Sequence, residues 1–248
     1  MSWILLLKEK NEILFWVSLA HTVAAVLLIW PAIFSDTLVQ NVNAWHKPLK
    51  FLLSSLLFLW TMTLYTGYIE QDNSVRFYSI FISILFVFEN IYITWMASRG
   101  EMSHFNQSTP TTQMMFGLMG IAATLIAVST FVLSFKFFSI SPVLLSSPMK
   151  WSIILGMWLF ALFAMEGLVM GSRLSHTVGA PDGGSGIPFL NWSKKNGDLR
   201  IAHFIGMHAL QMVPLLSLLF AQKIRDVILI ATVYGIFAAY TFIRALQG

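Results

Sequence analysis

The chain has 248 residues, of which 57% are hydrophobic and only 10% are charged, and its mean hydropathy is +0.73. Soluble domains carry about 25% charged residues, so this composition excludes an ordinary soluble protein. The net charge of +4 suits loops beside anionic lipid and gives no reason to expect a nucleic-acid partner, while the lack of cysteine excludes disulfides and thiolate metal sites.

Seven stretches are apolar enough to cross a membrane, for which a helix needs about 20 residues. They cover approximately residues 12–34, 48–69, 75–98, 113–138, 149–172, 200–222 and 226–246. In hydrocarbon such stretches must be helical, because neither exposed loops nor open sheet edges are stable there. We therefore predict one all-α domain over residues 1–248, a polytopic seven-transmembrane-helix bundle in a plasma membrane or bacterial inner membrane.

An odd number of spans puts the termini on opposite sides, which we call side A (the N-terminal side) and side B. Lysine and arginine are nearly balanced between the two sides, so the positive-inside rule does not decide the orientation. Lys8 and Lys10, before the first span, favour a cytoplasmic N-terminus. The connection over residues 173–199 falls on side B, and its length predicts a loop or a lid.

Ionisable residues lie within three of the predicted spans, near side B. A helix rises about 1.5 Å per residue, which places Glu89, Glu166 and His208 in one layer. Charged side chains are costly at membrane depth, so they are candidates for function. We predict that these three are catalytic residues on the floor of a polar pocket, which His21 could join.

Above that layer the sequence places cations, histidines and amides. The predicted substrate-binding residues are His46, Lys47, Lys50, Arg99, His104, Asn106, Arg173, Arg200, His203 and Gln211. Arginine and lysine suit phosphate or carboxylate, so we expect a small anionic or amphiphilic ligand. In the alternative interpretation each charge neutralises a neighbour, as Glu166 and Arg173 could do, seven residues apart on one helical face.

Histidines raise the question of a cofactor. His203 and His208 are five residues apart, about 140° around a helix, so the two would not bind one ion together. A divalent metal held from separate helices is a further hypothesis, with His208, Glu89, Glu166 and His104 as ligands. The alternatives are histidines that handle protons and a haem between two histidines, with Arg99 or Arg200 at its propionates. Retinal is disfavoured, because residues 226–246 contain no lysine.

Three functions remain open at this point. The first is a membrane-embedded enzyme that acts on an amphiphile or a small anion, with or without a metal. The second is a proton-coupled transporter or channel, in which the buried carboxylates form a relay. The third is a haem- or cofactor-binding sensor or redox protein. The partners expected are the lipid bilayer and the ligand, and a face with Gly117 and Gly120 would allow a homo-oligomer.

Overall fold

The structure is a computed structural model that describes residues 3–248, and its framework is all-α, with 72% helix. The helices are α1 (Trp3–Lys10), α2 (Glu12–Phe34), α3 (His46–Thr66), α4 (Asn73–Ser98), α5 (Pro110–Ser134), α6 (Ser147–Ala164), α7 (Glu166–Arg173), α8 (Leu199–Met207), α9 (Ala209–Phe220) and α10 (Ile224–Gln247). A 3₁₀ helix follows α5 at Phe135–Ser139. Two small antiparallel sheets pair β1 (Leu38–Val39) with β2 (Val42–Asn43), and β3 (Thr177–Val178) with β4 (Gly197–Asp198).

Six helical segments are long and apolar enough to cross a membrane: α2, α3, α4, α5 with its 3₁₀ extension, α6 with α7, and α10. The pair α8 and α9 passes the same test only when taken together, and its two halves are bent by 51°. Many large apolar side chains point outward, as expected for helices that face lipid. The all-α membrane class is thus confirmed, whereas the count of seven spans is not.

Local sequence explains where the long helices begin. Asn11 caps α2 by accepting a hydrogen bond from the backbone N–H of Leu14, and Asp72 caps α4 in the same way. Thr109 begins α5 with a reciprocal capping pair. The amide of the buried Asn11 also donates to Ser79 and to Thr66, so this cap fastens α2 to α3 and α4.

The core lies between α3, α4 and α6, where aromatic rings from three helices meet. The ring centroid of Phe58 lies 5.1 Å from that of Phe86 on α4 and 5.1 Å from that of Phe160 on α6. Met62 and Met157 complete this layer without any exposure. Aromatic pairs at such distances add to the stabilisation that burial alone provides.

Two tyrosine hydroxyls donate hydrogen bonds to backbone carbonyls of the bent pair α8 and α9. Pro214 has no backbone N–H, which leaves the carbonyl of Leu210 without its helical donor. The hydroxyl of Tyr65 donates to this carbonyl at 2.8 Å. At the end of α8, the hydroxyl of Tyr234 donates to the carbonyl of Ile205 at 2.6 Å. Because its free carbonyls have partners, the bend can lie buried in the bundle.

A second interruption, at Met165, separates α6 from α7 and packs against α8. The carbonyl of Phe163, near the end of α6, accepts a hydrogen bond from Nδ1 of His203 at 3.0 Å. Gly206 lies so close to Phe163 that a Cβ atom at position 206 would overlap the ring. The hydrogen bond from His203 therefore joins α8 to the end of α6, and Gly206 allows the two helices to pack closely.

One end of the bundle carries a folded cap, which we define as residues 35–45, 99–109 and 174–198. The three segments contact one another: Gly183, at a φ of +93°, packs against Gln40, and the ring of Phe105 lies 6.2 Å from that of His176. Gly197 packs against the backbone of Ala245, which brings the end of α10 to the cap. The connection predicted to be a loop or lid thus has a defined fold.

Candidate functional site

The centre of the cap is a carboxylate–imidazole pair. Oδ1 of Asp182 lies 2.9 Å from Nδ1 of His176, and it also accepts hydrogen bonds from the hydroxyl of Ser175 and the backbone N–H of Thr177. Only 9% of the Asp182 side chain is exposed. Burial opposes ionisation of this carboxyl, but the hydrogen bonds from His176 and Thr177 outweigh it and hold its pKa well below the usual range. The pair fixes the orientation of the imidazole.

A cavity of about 130 Å³ lies inside the cap, next to this pair. Its lining is polar and includes His176, Ser185, Asn191, Ser193, Lys195 and Arg200. Among the described residues, no hydrogen bond involves Nε2 of His176, so this nitrogen remains free to act on a ligand. A cavity lined by an oriented imidazole and a guanidinium can bind an anion and move a proton within it.

Arg200 reaches the cavity from the first turn of α8, and it is held there by the residue that caps the helix. Its Nε and Nη2 donate to the two carboxylate oxygens of Asp198, at 2.9 and 2.6 Å. The Asp198 side chain is fully buried, whereas 24% of the Arg200 side chain is exposed. A bidentate pair of this kind is geometrically rigid. The guanidinium is therefore positioned before any ligand binds.

Two lysines at the start of α3 give the site an excess of positive charge. Nζ of Lys50 donates to the carbonyl of Leu190 in the cap at 3.1 Å. Lys47 lies within electrostatic range of Lys50, Arg200 and Asp182. Within the described part of the chain, neither lysine has a carboxylate within 4.0 Å, and both are half-buried. Unpaired cations in a cleft attract anions.

His104 borders this group from the second cap segment. Its ring lies 5.4 Å from that of Phe51 and 6.1 Å from that of Phe116. Burial, and then the neighbouring Lys47 and His176, lower the pKa of His104 well below its usual range. The imidazole is therefore neutral near pH 7 and offers a hydrogen bond rather than a charge.

Apart from Arg200, none of the predicted substrate-binding residues lines the cavity. Arg99 lies 2.9 Å from Glu101 and stacks on Trp95, and Arg173 is exposed at the end of α7. Asn106 closes a local turn, because its Oδ1 accepts hydrogen bonds from the backbone N–H and hydroxyl of Ser108. His46 contacts Phe189 of the cap, with ring centroids 5.4 Å apart. Arg99, Asn106 and His46 have local partners instead.

The three predicted catalytic residues lie deeper in the bundle. His208 stands at the bend between α8 and α9, where its Nδ1 is 3.2 Å from Oε1 of Gln211, whose Nε2 donates to Thr61. Glu166 is only 8% exposed, and its Oε2 has no hydrogen-bond partner among the described residues. Glu89 is half-buried on α4.

Within residues 3–248, no hydrogen bond or ion pair joins any two of Glu89, Glu166 and His208, and none of them lines the cap cavity. A catalytic site shared by the three stays a prediction. His203, predicted to bind substrate, donates from Nδ1 to the Phe163 carbonyl at the helix break and so supports the fold. His21 makes a comparable contact within its own helix, with the carbonyl of Val17.

The predicted metal site has no support in the structure. Among the residues described, no three His, Cys, Asp or Glu side chains are grouped so that they could hold a metal ion. His208 contacts Gln211 and His104 packs among aromatic rings, and within the described residues no hydrogen bond joins either histidine to Glu89 or Glu166. A haem between two histidines stays a prediction.

The pairing of His176 with Asp182 was missed by sequence reasoning, which named neither of them as a site residue. A signal was present in Pro181-Asp182-Gly183, because this order is typical of a tight turn that brings the chain back on itself. A turn there returns Asp182 to the residues just before it, including His176.

Comparisons with protein-family models, with curated proteins and with solved structures found no match to this chain. What the chain does has to be inferred from its own side chains. The cap offers the densest arrangement of chemical groups, namely an oriented imidazole and a fixed guanidinium on one cavity, with Lys47 and Lys50 of α3 within electrostatic range of Arg200.

Proposed function

We propose that the chain crosses the membrane seven times, with α8 and α9 together as the sixth span. α8 begins directly after the cap at Asp198, and the end of α10 packs on the same cap at Gly197. Since α9 and α10 are joined only by the short turn 221–223 and pack along each other, the bent pair must run to the opposite end of the bundle. In this topology the N-terminus is cytoplasmic and the cap is outside.

Single cysteines test this topology, because the natural chain has none. Ser185→Cys in the cap should react with a membrane-impermeant maleimide on intact cells. Gln222→Cys, in the turn between α9 and α10, should react only after permeabilisation. Labelling of both positions from the same side would contradict seven spans.

We further propose that the protein is a membrane-embedded enzyme, which binds an anionic ligand in the cap cavity and uses His176 as a general base. The observation that carries this proposal is that His176, oriented by a buried carboxylate, lines the same cavity as Arg200, which is oriented by another. Two ion pairs that only stabilise a fold would not need to line the same cavity. An imidazole and a guanidinium fixed on one cavity suit chemistry on a bound anion.

The proposed step is a proton transfer next to a held anion. Arg200, with Lys47 and Lys50, holds the negative group of the ligand. Nε2 of His176 takes the proton from a hydroxyl or a water molecule as that oxygen forms a bond to the phosphorus or carbonyl carbon of an ester in the ligand. The bond from that centre to the departing ester oxygen breaks, and His176 returns the proton to this oxygen. Asp182 keeps the proton on Nδ1 and stabilises the imidazolium meanwhile. General-base catalysis by a positioned side chain typically contributes about 10²–10⁴ in rate.

The experiment compares the purified protein with His176→Gln and with a matched control, His46→Gln. His46, the first residue of α3, contacts Phe189 of the cap but does not line the cavity. Each protein is incubated with a lipid extract and with a pool of soluble phosphates and carboxylates, and depletion of every compound is followed by mass spectrometry. We expect depletion of an anionic compound by wild type and by His46→Gln, and none by His176→Gln. Anion binding without any depletion would show a binding protein instead of an enzyme.

A proton-coupled transporter is the second candidate, and the broken helices favour it. Transporters often bind substrates at interrupted helices near mid-membrane, and here two interruptions pack together, at Met165 and His208. Glu166 and His208 lie at these breaks. Proteoliposomes that carry a pH dye test this function: proton flux driven by an added anion, and lost in Glu166→Gln, would favour transport.

A further inference from the structure

One face of α8 runs from the cap cavity into the bundle and carries a cation followed by rings. Arg200, Phe204 and His208 are four residues apart, which places them on one helical stripe. The rings of Phe204 and His208 are in contact, with centroids 4.2 Å apart. The stripe extends over about 12 Å, from the charged cavity to membrane depth.

The cap continues this apolar surface on its outer side. The ring of Trp192 lies 5.4 Å from that of Phe204, edge to face. Ile187 and Phe189, from the same cap segment, are 38% and 39% exposed, and Phe204 is 39% exposed. Apolar side chains thus connect the cap to the lipid-facing surface of α8.

Cations line the cap end of this surface. Nζ of Lys50 lies 5.9 Å from the ring centroid of Phe189 while it donates to the carbonyl of Leu190. Nη2 of Arg200 donates to the carbonyl of Asn191, next to Trp192. Positive charge and exposed apolar surface therefore lie side by side, as the charged head group and the alkyl chains of an anionic lipid do.

We infer that the ligand of the cap cavity is an amphiphile, with its anionic head group at Lys47, Lys50 and Arg200 and its alkyl chain along Trp192 and Phe204. This inference rests on the proposed anion site and narrows its ligand class. A soluble anion would contact the cations but would make no contact with the rings on α8. The amphiphile uses both, and it reaches the site sideways from the bilayer.

The test uses the full-length protein in phosphatidylcholine vesicles that contain a small fraction of phosphatidylglycerol with brominated chains. Bromine quenches tryptophan fluorescence on contact, and subtraction of the Trp192→Phe signal isolates Trp192 among the nine tryptophans. Trp30→Phe gives the matched control, because Trp30 is an exposed tryptophan on α2. Brominated phosphatidylcholine serves as the zwitterionic comparison.

We expect brominated phosphatidylglycerol to quench Trp192 about five times as strongly as brominated phosphatidylcholine does at the same fraction. Fivefold is about the factor in affinity that one lysine contributes at an anionic membrane surface. The two brominated lipids should quench Trp30 equally. In the double variant with Lys47→Gln and Lys50→Gln, they should quench Trp192 equally as well. Equal quenching of Trp192 by both lipids would contradict the inference that the ligand is an anionic amphiphile. In that case, binding of inorganic phosphate that still depends on the two lysines would leave the proposed anion site intact, and absence of both kinds of binding would refute the two proposals together.

Discussion

Nδ1 of His176 lies 2.9 Å from Oδ1 of Asp182, and the same carboxylate accepts the backbone N–H groups of His176 and Thr177. One side chain therefore closes the turn that folds the cap and also orients the imidazole that faces the cavity. Folding of the cap and the proposed chemistry depend on the same carboxylate, which makes Asp182 the natural first target for mutation.

Asp182→Asn should weaken both functions of the carboxylate. A hydrogen bond that involves a charged group contributes about 1.5–3 kcal/mol, so we expect a loss of about that size in the stability of the cap. Limited proteolysis at residues 183–186 should become faster, and turnover should fall because His176 is no longer held. Asp36→Asn is the control, because Asp36 is exposed on the same cap. Equal effects of the two substitutions would argue against a special role for Asp182.

Acid should destabilise the protein through His104. Its pKa is lowered in the folded state from an ordinary value of 6.5. Below pH 6.5 the unfolded chain therefore takes up a proton that the folded chain does not, and stability falls by at most about 1.4 kcal/mol per pH unit. The melting temperature of wild type should drop between pH 7.5 and pH 5.5. His104→Gln should drop less; an unchanged drop would assign the effect to other groups.

Lys47→Gln with Lys50→Gln should lower the affinity for inorganic phosphate without lowering stability. Neither lysine has a carboxylate within 4.0 Å in the described chain, so no charge is left unpaired by the change. We expect about a tenfold loss, together with a weaker dependence on salt concentration, since the attraction is electrostatic. Lys194→Gln, an exposed cap lysine outside the cavity lining, is the control. Unchanged phosphate affinity in the double variant would refute the role of these lysines.

Tyr65→Phe should destabilise the bundle, because it leaves the Leu210 carbonyl of the bent pair without a donor. The cost of a buried polar group that loses its partner is about 1–3 kcal/mol. Tyr234→Phe removes the analogous bond at Ile205 and should have an effect of similar size. Tyr240→Phe, at an exposed tyrosine on α10, should be neutral in thermal unfolding. A stable Tyr65→Phe protein would mean that the bend does not depend on this hydroxyl.

Hydropathy was sufficient to predict the membrane class and the approximate helix positions, because apolar length alone determines whether a helix can span lipid. It could not predict the interruption at Met165, because no proline lies near the break. The break at His208 had a signal in Pro214, but the tyrosines that satisfy its carbonyls come from distant helices. Such tertiary contacts leave no local trace in the sequence.

Counting residues along each predicted helix gave the depth of the ionisable residues, but not the direction in which each side chain points. Glu89, Glu166 and His208 share a layer by residue count, yet rotation about each helix axis decides their neighbours. Arg200 was predicted as a substrate-binding residue above this layer, but its fixation by Asp198 is visible only in the structure. The cap itself was the least predictable part, since its three segments are separated by long stretches of chain and meet only in the folded protein.

The most direct test of the proposed site is chemical modification of His176 in the purified protein. Diethyl pyrocarbonate acylates free imidazole nitrogen, and mass spectrometry of peptides resolves His176 from His46. We predict that a lysophospholipid with an anionic head group protects His176 and leaves His46 as reactive as before, while its zwitterionic counterpart protects neither. Equal modification of His176 with and without the anionic lipid, and with and without inorganic phosphate, would contradict an anion site beside this histidine.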